Sequence, residues 1–300
     1  MSQGLEYQPS GTSSDKGQDT VLVVGAAGRF AGLVVPALAR RGAKVRAFIR
    51  KAEETDAVLE AGAVEVAIGD LDELSSVQRA LRGVSSVFYL APAFLRREAE
   101  LGVRFVAAAQ EGGVRRFVFS SVIHPVLTEL VNHAAKIPVE EAVLTSGMEY
   151  VFLQPAMFFQ NFAASFPKIR ATGIFGEPWS SDTRFSRVDY RDVAEVAAIA
   201  LTEERLLFGT FELCADGHLN RRDVAKLLGE VLGRDVKPVK LESGQAPSGG
   251  KPEDEQRAML QKMFDWYDRY ALVGNAITLR AILGREPRTL RGYFEELAVT

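Results

Sequence analysis

The 300-residue sequence contains a single cysteine, Cys214, and this scarcity excludes several kinds of site. One thiol cannot form an intramolecular disulfide, and it cannot build a cysteine-ligated metal centre. The three histidines, at positions 124, 133 and 218, lack the close spacing of a zinc site. We therefore expect no metal, and we expect Cys214 to be a buried structural thiol.

Long apolar runs are also missing. No segment reaches the ~18 consecutive apolar residues of a membrane-spanning helix, and residues 1–19 lack the apolar core of a signal peptide. Those residues are polar and rich in glycine and serine, which predicts a disordered tail. The net charge of −3 gives no electrostatic reason to bind nucleic acid. We expect a cytoplasmic globular protein with neither a membrane nor a nucleic-acid partner.

Residues 21–50 are the most informative stretch, because an apolar strand, a glycine turn, a helical pattern and a second strand follow one another. Gly25 permits a tight turn, and Gly28 leaves the backbone bare for a pyrophosphate that the next helix would face with its N–H groups. The spacing is G-x-x-G-x-x-A, and an ordinary packing turn is the alternative. The predicted cofactor contacts in this turn are Gly25, Ala27, Gly28, Arg29 and Phe30.

Strands and helices alternate up to Pro155. The predicted strands are 21–25, 44–50, 64–70, 86–92, 115–121 and 150–155, and the predicted helices lie near 30–41, 53–61, 73–82, 96–112 and 134–146. Continuous apolar strands that alternate with helices indicate an α/β fold with a doubly wound, Rossmann-like parallel sheet. We assign residues 20–155 to this dinucleotide-binding domain.

After Pro155 the alternation breaks. Residues 156–300 predict mainly a smaller C-terminal α/β lobe that forms the wall of a substrate cleft, with parts of 186–214 returning to the Rossmann core. A further strand is expected at 209–214, and a helix that begins with an N-cap at 220–234. Residues 245–255 read as a linker or mobile loop.

Four segments together resemble the NmrA-like family of atypical short-chain dehydrogenase/reductases. They are GAAGRFAG (25–32), VRAFIRK (45–51), HAAKIPVEEAVLTSGMEYVFLQPAMFFQN (133–161), and RVDYRDVAEVAAIAL (187–201) with a late GREP (284–287). The resemblance covers residues 20–293 and implies NADP(H) binding. Two departures matter: Gln154 replaces the family's usual arginine before Pro155, and Asn132, as is common in NmrA-like members, stands where the wider superfamily has its proton-donating tyrosine. The resemblance therefore supports cofactor binding better than catalysis.

Ligands of doubly wound sheets bind beyond the carboxyl ends of the strands. Arg50 ends the second strand beside the expected adenosine ribose, where a guanidinium would pair with the 2′-phosphate of NADP. Lys51 adds a second positive charge. A solvated pair of basic residues at a strand end is the alternative.

The other strand ends supply further candidates. The resemblance puts Asp70 and Leu71 near the adenine, although Asp70 could equally be the N-cap of the helix at 72–82. The resemblance implies that Ser120 contacts the nicotinamide ribose or the substrate carbonyl; the alternative is that its hydroxyl bonds the backbone and ends the strand. The remaining predicted cofactor contacts at strand ends are Ala91, Pro92, Gln154 and Pro155.

Lys136 is the predicted catalytic residue. It sits early in a helix that should pass beside the nicotinamide, where an ammonium can donate to both ribose hydroxyls and favour hydride transfer electrostatically. The alternative is an exposed helical lysine that pairs with Glu140 one turn later.

Aromatic side chains suggest the substrate. An aromatic wall suits a flat, apolar molecule such as a quinone, although aromatic residues are more often plain core. The predicted substrate contacts are His124, Met157, Phe158, Asn161 and Trp266.

These observations predict an NADPH-dependent oxidoreductase that reduces a small aromatic or quinone-like substrate by hydride transfer. The alternative is a non-catalytic NADP(H) redox sensor with a protein partner. The missing tyrosine at Asn132 favours the sensor, and the aromatic side chains and the long C-terminal region favour the enzyme.

Overall fold

A computed structural model describes residues 19–92, 97–241 and 254–299 of the chain, with side chains in the last range from Arg257 onward. The predicted N-terminal tail, except Asp19, and residues 245–253 of the predicted linker lie outside the described residues.

The described residues form eleven strands. They are β1 (Thr20–Val24), β2 (Lys44–Ile49), β3 (Glu65–Ile68), β4 (Ser86–Tyr89), β5 (Arg116–Ser120), β6 (Glu149–Pro155), β7 (Met157–Phe158), β8 (Ile174–Glu177), β9 (Arg187–Val188), β10 (Gly209–Leu213) and β11 (Lys237–Lys240). Seven of them make one parallel sheet in the order β10-β6-β5-β4-β1-β2-β3. The expected doubly wound parallel sheet is confirmed.

Twelve α-helices connect or follow the described strands. They are α1 (Val34–Ala39), α2 (Thr55–Glu60), α3 (Leu74–Leu81), α4 (Glu98–Glu111), α5 (Val131–Ala134), α6 (Ile137–Thr145), α7 (Phe166–Thr172), α8 (Tyr190–Thr202), α9 (Arg221–Leu232), α10 (Asp254–Tyr270), α11 (Ile277–Leu283) and α12 (Leu290–Val299). Short 3₁₀ turns at Ala31–Leu33, Ala52–Glu54 and Phe159–Phe162 precede or separate some of them.

The two faces of the sheet carry different helices because successive strand residues point to opposite sides. Val21 and Val23 of β1 pack with α1, α8 and α11 on one face. Leu22 and Val24 of the same strand pack with α3, α4 and α6 on the other. Both faces of β1 are therefore buried, which explains its unbroken apolar run.

Most of the chain after Pro155 builds a second packed region. Phe162, Phe175, Leu228 and Phe294 belong to a separate core beneath α7, α9 and α12. The two-stranded parallel sheets β8–β11 and β7–β9 lie in this part of the chain, whereas β10 returns to pair with β6 in the central sheet. Asn220 caps α9 by accepting from Asp223 N, so the predicted N-cap is confirmed.

Two local expectations differ from the structure. The helix expected at 30–41 begins as a 3₁₀ turn and is α-helical only over Val34–Ala39. The helix expected at 134–146 is broken: α5 ends at Ala134, and α6 starts at Ile137 with Pro138 in its first turn. Proline lacks a backbone N–H, so Pro138 cannot donate the hydrogen bond that would continue α5 into α6. Cys214 is buried and free, as expected.

None of the helices within the described residues is both long enough and apolar enough to cross a membrane.

Candidate cofactor and substrate site

The carboxyl ends of the parallel strands meet along one edge of the sheet, and β1 lies at its switch point. From β1 the chain adds β2 and β3 on one side, and then β4, β5 and β6 on the other. The crevice at such a reversal of strand order is where open α/β sheets bind ligands. The glycine turn follows β1 directly and therefore opens into this crevice.

The glycine turn has little room for side chains. Gly25 has φ +72°, a left-handed conformation that favours glycine, and its N–H donates to Phe48 O over 3.2 Å. Gly28 N donates to Gly25 O over 2.8 Å. A Cβ on Gly28 would lie 3.0 Å from Gly25 O, closer than ordinary van der Waals contact. Gly25, Ala27 and Gly28 are exposed, so the turn presents bare backbone.

The end of the turn contacts the segment after β6. Arg29 Nη2 donates to Asn161 Oδ1 over 3.1 Å, and the Arg29 guanidinium lies 4.5 Å from the Phe30 ring centroid. Phe30 packs on Phe158 with 4.6 Å between ring centroids. The structure therefore brings two predicted cofactor residues against two predicted substrate residues, a pairing that the sequence did not indicate.

Tyr190 completes this aromatic group, and sequence reasoning missed it. Its ring lies 5.3 Å from Phe30 and 4.8 Å from Phe158 between centroids. Its hydroxyl lies 3.0 Å from Ser120 Oγ, and complete burial raises its pKa. Ser120 Oγ therefore bonds a side chain, whereas the alternative from the sequence was a bond to the backbone. The available signal was Asp189, which caps α8 and fixes Tyr190 as the first residue of that helix.

Arg50 and Asp70 end neighbouring strands and form an ion pair, with 3.2 Å between Arg50 Nε and Asp70 Oδ2. The Arg50 side chain is 79% exposed. Asp70 Oδ1 accepts from Asp72 N, whereas α3 begins at Leu74 with no side-chain cap. Asp70 is therefore not the helix cap that the sequence allowed.

The other predicted contacts along this edge differ in exposure. Lys51 is exposed and Leu71 is half-buried. Ala91 is buried, and Pro92 is exposed at the end of a described range. Pro155 ends β6, where Gln154 is buried and donates to Glu140 Oε1 over 3.1 Å.

Lys136 lies in the break between α5 and α6, at the amino end of α6. Because α6 leads into β6, this end of the helix lies on the carboxyl side of the sheet. The side chain is buried, and its Nζ donates to the buried carboxylate of Glu98 at the start of α4. The alternative of an exposed lysine paired with Glu140 is wrong.

Two buried hydroxyls lie at the ends of β4 and β5. Within the described residues neither Tyr89 Oη nor Ser121 Oγ has a hydrogen-bond partner. Burial raises the pKa of Tyr89, and the nearby Glu98 carboxylate adds to that effect. Buried polar groups normally have partners, and the unpartnered Tyr89 hydroxyl lies near the Glu98 carboxylate that binds Lys136.

Two histidines in the segment after β5, His124 and His133, contact β10, α10 and the loop that follows α10. His124 has φ +52°, and its Nδ1 and Nε2 lie 2.9 Å from Glu212 Oε1 and Val273 O respectively. His133 Nδ1 lies 3.1 Å from His124 O, and His133 Nε2 lies 3.3 Å from Tyr267 Oη. Burial lowers the pKa of His133 to about 4, so its ring is neutral at pH 7.

Apart from His124, the predicted substrate residues divide into two groups. Phe158 and Asn161 face the glycine turn, as described above. Met157 and Trp266 instead pack against the core that contains Tyr267. A cleft of about 320 Å³ opens beside Trp266, and it is lined by Val126, Leu127, Thr128, Glu129, Trp266 and Tyr270. A larger cleft of about 640 Å³, between Pro178 and α10, involves none of the predicted site residues.

Known proteins resemble this chain over nearly its whole length. A family model described as the NmrA-like family matches residues 17–294. An NAD(P)H azoreductase of Xenophilus azovorans is 30% identical over 274 residues, which are 90% of this chain and 94% of that protein.

Solved structures share the fold. A triphenylmethane reductase from Citrobacter sp. superposes with a TM-score of 0.82 at 20% identity, covering 94% of this chain and 100% of that one. An NADPH-dependent quinone oxidoreductase from Escherichia coli, complexed with NADPH, gives a TM-score of 0.81 at 21% identity, covering 92% and 99%.

Proposed function

The chain belongs to the NmrA-like family, and from that premise we propose that it is an NADPH-dependent reductase of flat aromatic or quinone-like substrates. The names of the relatives support this class, since they include an azoreductase, a quinone oxidoreductase and a triphenylmethane reductase. The carrying observation is that the glycine turn, Arg50 and Lys136 all lie at the carboxyl edge of one parallel sheet.

The residues at this edge fit a dinucleotide. The exposed turn at Gly25–Gly28 would present bare backbone to a pyrophosphate, because both end residues lack a Cβ. Arg50 is exposed at the end of β2 and fits the 2′-phosphate that distinguishes NADP from NAD. Asp70, its partner, is the counter-ion that the phosphate would replace.

The bound cofactor would supply a hydride from its reduced nicotinamide. Lys136 would contribute a positive charge and hydrogen bonds to the adjoining ribose, and the buried Glu98 balances that charge. Asn132 cannot donate a proton at neutral pH, so we assign the proton that completes the reduction to water.

We propose the cleft beside Trp266 as the place for the aromatic end of the substrate. Trp266 and Tyr270 lie 5.0 Å apart between ring centroids and offer an aromatic surface on α10. The volume of about 320 Å³ is at the small end of the range for ligand sites, which suits a single fused ring system.

The cytoplasmic location remains a prediction.

The second candidate is a non-catalytic NADP(H) sensor. Asn132 favours it, because the position that carries the superfamily's proton donor holds an amide. The two functions differ in one measurable respect, since only the reductase consumes NADPH when a substrate is supplied.

The test is NADPH oxidation, followed by absorbance, with a panel of quinones, azo dyes and triphenylmethane dyes. Lys136→Met should lower kcat more than the change in cofactor affinity explains, whereas Lys168→Met, at an exposed position of α7, should leave kcat unchanged. Tight NADPH binding without turnover of any substrate in the panel would favour the sensor.

A further inference from the structure

Lys136 does not stand alone, because its ammonium is bound to Glu98. The two side chains come from different elements, Glu98 from the first turn of α4 and Lys136 from the amino end of α6. Both are almost fully enclosed, with 2% of the Glu98 side chain and 7% of the Lys136 side chain exposed. Neither charge is solvated by bulk water, so each depends on the other.

Helix dipoles make the dependence unequal. The amino end of a helix carries partial positive charge, which favours a carboxylate and disfavours an ammonium. Glu98 begins a 14-residue helix and is well placed, whereas Lys136 is at the amino end of the nine-residue α6 and is badly placed. Glu98 is therefore the group that makes a buried positive charge tenable at position 136.

A close contact between the two helices sets the geometry of the pair. Gly102 lies one turn after Glu98 on the same face of α4, and Val139 lies one turn after Lys136 on α6. A Cβ on Gly102 would overlap Val139 Cγ2, so the helices approach this closely only because residue 102 is glycine. The contact holds the amino ends of α4 and α6 within reach of one salt bridge.

We propose that Glu98 is the positioning residue for Lys136 in cofactor binding and reduction. This inference rests on the proposed function. An ammonium has three N–H donors. Glu98 accepts one of them, which fixes the direction of the group and leaves two donors for the two hydroxyls of a ribose. Glu98 acts through Lys136 and does not itself contact the substrate.

The test is a double-mutant cycle on NADPH affinity, measured by calorimetry with Glu98→Gln, Lys136→Met and the variant that carries both. If Glu98 acts through Lys136, Glu98→Gln should weaken binding about tenfold in the wild type, since a charge-assisted contact is misdirected. In the Lys136→Met background the same change should have an effect of at most about twofold. The kcat with any quinone that the wild type reduces should follow the same pattern.

The outcomes separate the two proposals. A wild type that binds no NADPH overturns the proposed function and this inference with it. A wild type that binds NADPH while Glu98→Gln binds equally well overturns the inference alone, because the pair is then only a structural link. An equal loss in both backgrounds also overturns it, since Glu98 would then act independently of Lys136.

A second pair of variants leaves both charges in place and covers the case in which Glu98→Gln does not fold. Gly102→Ala should separate the amino ends of α4 and α6 and weaken NADPH binding, and adding Val139→Ala should restore both the space and the affinity. Urea unfolding of the apoprotein reports the stability of each variant separately. Unchanged affinity in a folded Gly102→Ala variant would contradict the role given to the helix contact.

Discussion

Arg50→Ala should remove most of the preference for NADPH over NADH. Arg50 is the cation at the end of β2, its side chain is 79% exposed, and the neighbouring strand end holds Asp70 at 3.2 Å. Only NADP carries the 2′-phosphate that this guanidinium can bind with two parallel hydrogen bonds. The substitution therefore acts on one cofactor and should leave NADH affinity almost unchanged.

The magnitude follows from two opposing contributions. A hydrogen bond to a charged group contributes ~1.5–3 kcal/mol. The phosphate must displace the exposed Arg50–Asp70 pair, and a surface pair of this kind is worth ~0–1 kcal/mol. The net effect is ~0.5–3 kcal/mol, which corresponds to roughly a 2- to 150-fold loss of NADPH affinity. Because Arg50 is exposed, the effect should shrink as ionic strength rises.

The assay is calorimetric titration of NADPH and NADH into wild type, Arg50→Ala and Lys51→Ala. Lys51→Ala is the matched control, because it removes the same net charge from the adjacent exposed position. We expect its NADPH-to-NADH affinity ratio to change far less than that of Arg50→Ala. The same NADPH-to-NADH affinity ratio in wild type and Arg50→Ala would refute the assignment. An equal fall of this ratio in Arg50→Ala and Lys51→Ala would also refute it, because it would indicate only general electrostatic attraction.

Two further predictions concern the turn and acid stability. Gly28→Val should abolish NADPH binding while circular dichroism stays native, because the turn is exposed and the new side chain meets Gly25 O and the space for the phosphate; a folded variant with normal affinity would show that the phosphate binds elsewhere. His133 has a pKa of about 4 when folded against 6.5 for an unperturbed histidine, so its unfolded form binds the proton first. The stabilisation that comes from keeping the His133 ring neutral is complete above pH 6.5 and is lost as the pH falls to about 4. The free energy of unfolding should fall by ~3 kcal/mol over this range. Urea unfolding of wild type and His133→Asn across this range measures the change, and equal pH dependence of the two would contradict it.

The sequence predicted the sheet well because burial on both faces leaves an unambiguous pattern. The first six strands are rich in apolar residues, and the structure has a strand within two or three residues of each predicted boundary. The glycine turn could also be predicted from the sequence, because Gly25 needs a positive φ and the surrounding strands and helix identify the motif. These features depend on local sequence alone.

The surroundings of Lys136 could not be predicted in the same way. Local reasoning offered Glu140, four residues away, because helical neighbours are the pairs that a sequence displays. The actual partner is Glu98, 38 residues earlier, and the pair exists because two helices on one sheet face pack closely. Pro138 was the available signal for the break between α5 and α6 at which Lys136 lies. The predicted continuous helix over 134–146 did not take this proline into account.

The region after Pro155 was harder still, since its contacts with the carboxyl edge of the sheet join distant residues. Arg29 and Asn161 are 132 positions apart, and Ser120 and Tyr190 are 70 apart. An aromatic residue such as Phe158 looks the same in a sequence whether it faces a cofactor turn or lies in a core. Only the folded chain separates Phe158, against Phe30, from Phe159, which is buried in the second core.

The proton source constrains which substrates the proposed reductase can use. Tyr267 lies beside Asn132, but it is a poor replacement for the missing tyrosine. The carbonyl of His124 only accepts, so His133 Nδ1 carries the ring proton and Nε2 accepts the hydrogen of the Tyr267 hydroxyl. Burial also raises the pKa of Tyr267, which makes it a weaker acid.

Substrates that accept hydride without help from a general acid are therefore favoured. A quinone delocalises the negative charge left by hydride addition and takes its proton from water afterwards, whereas a simple ketone needs a proton as the alkoxide forms. We expect quinones to exceed aromatic ketones of similar size by at least about a hundredfold in kcat/KM, the lower range of general acid catalysis. Steady-state rates with matched quinone and ketone pairs measure the ratio. Comparable rates would mean that a proton donor has been overlooked, and Tyr267→Phe would then show whether Tyr267 is that donor.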